Sequence, residues 1–167
     1  MRRLLAIVVA AAFVSADALA RLGQTEAELE ARYGKPTPSE PTTPGSDETL
    51  IYWKDHVRIA GEFVKGRCFR ITYSGEGLTQ EVIDTLLKSN GQGLSWSRPK
   101  GGGPNDYVRA DKLATAKAEP ASGATNSGSV VFTLVEWQKA HDKAIQDAKD
   151  AEKAAQQNRI KKLKEDL

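Results

Sequence analysis

Few residues in this 167-residue chain carry the side chains from which catalytic or metal sites are built. There are two histidines, His56 and His141, and one cysteine, Cys68. His56 follows Asp55 between two strand-like runs, and His141 sits beside Asp142 in a long helical stretch. Neither has a His or Cys partner at the spacing a zinc site uses, so each reads as a solitary, exposed imidazole. Nucleophilic catalysis needs a Ser, Cys or Thr held by a base, and no Gly-x-Ser-x-Gly elbow or comparable signature occurs. Arg67 and Arg70 flank Cys68, and nearby cations lower a thiol pKa. In a regular strand Arg70 shares the face of Cys68 and Arg67 does not. A small thiol packed in the core is the simpler account. Lys100 to Pro104 (KGGGP) has the glycines of a phosphate loop. It lacks the Walker spacing and the following Lys-Ser or Lys-Thr, and Pro104 has no amide to donate. These residues imply no catalytic group, metal or cofactor.

Binding is the chemistry left. Trp53, Trp96 and Trp137, with Tyr52, Tyr73 and Tyr107, are the side chains that anchor interfaces. Aromatics in strands usually belong to the core. Trp96 and Tyr107 are the best candidates for exposure, because a Gly-rich loop, residues 98 to 106, separates them. Trp96, Arg98 and Tyr107 therefore mark a candidate cleft. Arg67 and Arg70, on a strand, can meet carboxylates of a partner.

The elements that position these residues follow from periodicity and caps. Arg2 and Arg3, the eleven-residue apolar run Leu4 to Val14, and Ser15 to Ala20 ending in Ala18-x-Ala20 form a three-part secretory signal, with cleavage expected after Ala20. The apolar run is shorter than the roughly 20 residues a bilayer span needs, and no later segment approaches that length. A single cysteine excludes an internal disulfide. Removing Arg2, Arg3 and Asp17 takes the net charge from +2 to +1. A near-neutral chain offers no field for nucleic acid or an anionic membrane.

Residues 21 to 135 read as one α+β domain. Leu22 to Gly34 predicts a short helix with Thr25 as N-cap, Glu28 completing a capping box and Gly34 closing it. Residues 35 to 48 hold four of the seven prolines and read as an extended connector. Thr49–Lys54, Val57–Val64 and Arg67–Ser74 predict a meander, with Lys65-Gly66 as a tight turn. In the third run Phe69, Ile71 and Tyr73 alternate against Cys68, Arg70 and Thr72. Leu78 to Asn90 is a second helix, capped by Thr79, with Val82, Ile83, Leu86 and Leu87 on one face. Leu94–Ser97, a hairpin within Tyr107–Ala118, and Ser129–Val135 supply further strands. The expected architecture is an antiparallel sheet with helices on one face. An offset of 54 residues sets Gly23 on Gly77, Thr25 on Thr79, Leu29 on Ile83 and Tyr33 on Leu87, so two helix-plus-three-strand units are an alternative organisation of the same sheet.

Glu136 to Leu167 is rich in Ala, Lys, Glu, Asp and Gln and contains no Gly or Pro. It predicts one charged C-terminal helix. Its alanine-rich seam buries little area, so a solvated helix protruding from the domain is expected, with oligomerisation through the seam as the alternative.

The segment Leu22-Gly-Gln-Thr-Glu-Ala-Glu-Leu-Glu-Ala-Arg-Tyr-Gly-Lys-Pro36 resembles the opening of a set of small exported bacterial proteins of unknown function. Leu86 to Trp96 (LLKSNGQGLSW) is similar to the close of their second helix. More remotely, the order of helix, Gly-x-Pro and strands is similar to the helix-plus-meander modules of small outer-membrane-assembly lipoproteins and β-lactamase inhibitor proteins. That resemblance implies a binding module. It carries over no functional residue, and the lipoproteins' anchoring cysteine is absent here.

The combined reading is an exported, non-enzymatic interaction module of the bacterial envelope, periplasmic or secreted. Its expected partner is an envelope or extracellular protein. One alternative is a small-ligand binder or enzyme using the cleft near Trp96 and Tyr107. Another is an assembly role for the C-terminal helix.

Overall fold

A computed structural model describes residues 21–37, 45–121 and 127–165. The expected signal with its cleavage site at Ala20 lies outside the described residues, as does half of the proline-rich connector, residues 38–44. Three helices and seven strands form one α+β domain, in the order α1 (Glu26–Tyr33), β1 (Glu48–Lys54), β2 (Val57–Val64), β3 (Arg67–Glu76), α2 (Gln80–Asn90), β4 (Trp96–Ser97), β5 (Asp106–Arg109), β6 (Ala114–Glu119), β7 (Ser127–Leu134) and α3 (Val135–Glu165). Among the described residues, no helix is long and apolar enough to cross a membrane.

Local chemistry sets the boundaries. The Glu28 amide donates to Thr25 Oγ1 at 3.3 Å, and the Thr25 amide donates to Glu28 Oε2 at 2.7 Å. This reciprocal pair satisfies amides that the first turn of a helix leaves open. Gly34 ends α1 at φ 83°, and its amide reaches Glu30 O. Thr79 has the extended backbone of an N-cap, but its side chain makes no capping hydrogen bond. Lys65 and Gly66 both have positive φ, 51° and 71°, as a primed two-residue hairpin requires. Asp55 and His56 do the same at 49° and 66° without a glycine.

The strands form a single antiparallel sheet in the order β1-β2-β3-β7-β6-β5-β4. The first meander has three strands and the second has four. The last strand of each, β3 and β7, pair at the centre. The residues matched by the 54-residue offset occupy matching places. Gly23 and Gly77 both have positive φ, 85° and 76°, Thr25 and Thr79 both hold the N-cap position, and Leu29 and Ile83 are both fully buried.

One sheet face packs Tyr52, Ile59, Phe63, Ile71, Tyr73 and Phe132 against Leu29 of α1 and Ile83, Leu86 and Leu87 of α2. This is the main core, and it carries both short helices on one face as the apolar periodicity requires. Small residues complete it: Ala114, Ala116 and Ala118 line the same face of β6 under α2.

The alternation expected in β3 fails at one point. Glu62 pairs with Arg70 but Phe63 pairs with Cys68, so Phe69 is an extra residue in its strand. A bulge of this kind reverses the side-chain alternation beyond it. Cys68 therefore joins the main core, and Phe69 stands outside that cluster, on the face that α3 approaches. Its ring meets Trp137 at 6.4 Å and His141 at 6.2 Å.

His141 is consequently only 5% exposed, not the solvent-facing imidazole the sequence pattern implies. Gly45 approaches the same place: a Cβ on it would lie 3.0 Å from the Cα of His141. The first turns of α3 thus pack on the domain. From Gln146 to Lys161 every residue of the helix is exposed. Pairs one turn apart, such as Lys143 Nζ–Asp147 Oδ2 at 2.6 Å, run along the helix surface.

Candidate functional site

The five binding residues selected from sequence fall in four places. Trp96 and Tyr107 come together, because β4 and β5 are antiparallel neighbours at one end of the sheet. With Leu87 and Lys88 of α2 and Leu94 they line an open groove of about 560 Å³. Trp96 is half-buried. Its indole Nε1 donates to Leu87 O at 2.7 Å, and its ring stands edge-on to Phe132 at 5.7 Å. This groove therefore has a fixed wall. Arg98, one residue past β4, is exposed and does not line it.

Arg67 lies elsewhere. Its Nη1 donates to Gly23 O at 3.2 Å, beside a shallow groove shared with Gln24, Glu28 and Gln92. That contact helps hold the chain entry into α1. Arg70 projects from the sheet face away from α1 and α2, where its Nε lies 3.7 Å from Glu62 Oε1. It lines a groove of about 460 Å³ with Pro99, Val108, Thr115, Lys117 and Val131.

Cys68 is fully buried, and its thiol donates to Arg70 O at 3.2 Å. Desolvation pushes that thiol up to about 12, the opposite of an activated nucleophile. Because of the bulge, Arg70 does not share its face. His56 is exposed in the β1–β2 turn, as expected. Among the described residues, no group of three or more His, Cys, Asp or Glu side chains is placed to hold a metal ion.

Two features were not visible in the sequence. The first is a buried polar clasp. Arg109, 5% exposed, donates through Nε and Nη2 to Asp111 at 2.9–3.2 Å, and through Nη1 to Asn90 O at 3.5 Å. These hydrogen bonds hold the Asp111 carboxyl below the usual carboxylate range. Fully buried Asn90 in turn accepts from the Leu22 amide at 3.3 Å and donates to Leu86 O. The clasp ties the end of α2 to β5 and to the start of the domain, so its role is structural.

The second feature is the sheet face opposite α1 and α2. The strand register lays its side chains in rows. One row runs Trp53, Arg58, Ser74, Ser129, Glu119 across β1, β2, β3, β7 and β6. The next runs Ile51, Ala60, Thr72, Val131, Lys117, Asp106, and a third runs Thr49, Glu62, Arg70, Thr133, Thr115, Val108. Ile51, Ala60 and Thr49 at the β1–β2 side are buried. Over β6, Thr115, Lys117 and Glu119 face solvent in strict alternation with the buried alanines. Trp53, at 56% exposure, is the most exposed aromatic side chain on the domain. Trp96 and Tyr107, favoured for exposure on sequence, are each half-buried.

No family model matches the chain, and no curated protein matches its sequence. Solved structures give weak likenesses. One is a cysteine-rich secretory protein from Staphylococcus aureus subsp. aureus Mu50, at 10% identity and a TM-score of 0.40, covering 69% of this chain and 45% of that one. Another is an extracellular protein containing an SCP domain from Bacillus anthracis str. Ames, at 15% identity and a TM-score of 0.42, covering 69% and 44%. The chain spans less than half the length of either.

Proposed function

We propose that this chain is an exported, non-enzymatic interaction module of the bacterial envelope, and that it binds a protein partner through the open sheet face over β7, β6 and β5. The observation that carries this reading is the asymmetry of the sheet. One face is closed by two helices, and the other leaves Val108, Val131, Thr115 and Lys117 around a groove of about 460 Å³. Strands fix these side chains in place, so little order is lost when a partner docks. The Lys117 ammonium has no ion pair or hydrogen bond among the described residues, whereas Arg70 lies beside Glu62. The partner that fits places an apolar side chain over Val108 and Val131 and a carboxylate near Lys117. Export rests on the three-part signal at residues 1 to 20. The similarity to helix-plus-meander binding modules supports the same reading.

Site-specific photo-crosslinking in the cell envelope tests it. A photoreactive residue at Thr115 or Lys117 should yield one discrete protein adduct, and the same group at Glu81 on α2 should yield none. Adducts from Glu81 alone, or turnover by the purified protein that depends on a named side chain, would overturn it.

A second reading, a small-ligand site, is favoured by the pairing of Trp96 and Tyr107 in one groove of about 560 Å³. Trp96→Phe should then abolish a ligand-induced fluorescence change while leaving the crosslinks at Lys117 intact.

A further inference from the structure

Trp53 stands on the edge strand β1 with more than half of its surface in water. It is on the open sheet face, across from Arg58, and the core makes no use of it. Beside it lies an open groove of about 460 Å³, lined by Asp55, His56, Gly75, Glu76 and Ser127. Gly75 lets the β1–β2 turn come close to β3 at this place. A Cβ there would lie 2.5 Å from His56 O, and Gly75 adopts φ 142°. The β1–β2 turn therefore lies down against β3 beside the groove.

The composition of this site selects a ligand class. One indole face offers a flat apolar platform. Around it stand a hydroxyl, an imidazole, two carboxylates and peptide groups, which donate and accept hydrogen bonds. The carboxylates of Asp55 and Glu76 are matched by Lys54 at the groove and by Arg58 across from Trp53, so the site presents no strong field of one sign. The groove is shallow and open, which disfavours a compact apolar molecule that needs enclosure. With no second Trp, Tyr or Phe among its lining residues, the groove does not form the cage that captures a quaternary ammonium. A neutral pyranose meets each condition: its C–H face is apolar, and its rim is lined with hydroxyls.

We propose that Trp53 and the groove beside it bind a neutral saccharide chain, with the sugar face on the indole and its hydroxyls on His56, Glu76 and Ser127. This site is separate from the protein-binding groove over β5 and β6 and does not depend on it.

The test uses the protein from Arg21 to Leu167 with Trp96→Phe and Trp137→Phe, which leaves Trp53 as the only indole. The probes are the trimers of N-acetylglucosamine, of β-1,4-linked glucose and of α-1,4-linked glucose, with choline as the cationic control. At least one trimer should shift Trp53 emission saturably at millimolar concentration. Binding measured by calorimetry on the otherwise unaltered mature protein should fall at least tenfold in Trp53→Ala and stay within about threefold in Trp53→Tyr. Trp53 is exposed, so both variants should fold, and unchanged circular dichroism verifies this. No saturable response to any trimer at 20 mM overturns the proposal. Binding of choline alone, or trimer binding indifferent to Trp53→Ala, overturns it as well.

Discussion

Phe69 and Trp137 face each other with ring centroids 6.4 Å apart and planes tilted by 42°. This contact joins two parts of the chain that the sequence presents as unrelated, the third strand of the first meander and the start of the C-terminal helix. It exists because the bulge opposite Glu62 and Phe63 turns Phe69 away from Ile71 and Tyr73. Without the extra residue Phe69 would point under α1, and Trp137 and His141 would have no seat.

Phe69→Ala should therefore cost about 3–5 kcal/mol, the range for emptying a well-packed aromatic site. Chemical denaturation followed by circular dichroism checks this. The variant should also lose part of its helical signal before the sheet unfolds, since α3 loses its seat. A cost below about 1 kcal/mol would mean that the helix docks by other contacts.

The outer part of α3 should be dispensable for the domain. Residues from Gln146 to Lys161 are all exposed. Deleting residues 150–167 should leave stability within about 0.5 kcal/mol, as for surface changes remote from packing. If the alanine seam instead mediates assembly, sedimentation will show the full mature protein as a dimer or larger and the truncated one as a monomer.

Thr25→Ala should destabilise the protein by about 1 kcal/mol, the ordinary cost of losing an N-cap. Thr79→Ala should cost less, because the Thr79 side chain makes no capping hydrogen bond. Urea denaturation of the two variants side by side gives the comparison, and equal losses would contradict it.

Gly75→Ala should cost about 1–3 kcal/mol, the scale of a residue forced into a backbone region it rarely adopts. Its Cβ would meet His56 O, so the β1–β2 turn must lift. An increase in the accessibility of the turn to limited proteolysis is the specific sign.

The Cys68 thiol should be inert in the folded protein and reactive once urea unfolds it. Burial pushes it up to about 12 from an ordinary 9.0. A raised value in the folded state favours the neutral thiol. Its contribution to stability is whole below about pH 9 and is lost as the pH rises from there toward 12. Burial raises Tyr52 and Tyr73 in the same direction, so alkaline destabilisation is shared. Ellman's reagent isolates the cysteine. Rapid native-state reaction at pH 8 would contradict the burial.

The sequence by itself determined the local structure. Thr25 with Glu28, Gly34, Lys65 with Gly66, and the alternating runs from Thr49 to Ser74 are short-range patterns, set by caps, turn geometry and side-chain period. These marked both short helices, the first meander and the long C-terminal helix within a few residues. Only the tertiary structure decided which faces meet. The extra residue at Phe69 has no signature in its own segment, because a bulge is defined against the partner strand. It placed Cys68 in the core and buried His141. The grouping of Trp96 with Tyr107, the separation of Arg67 from Arg70 and the exposure of Trp53 likewise depend on strand order and register. Those relations join residues tens of positions apart, and they are fixed by packing across the sheet.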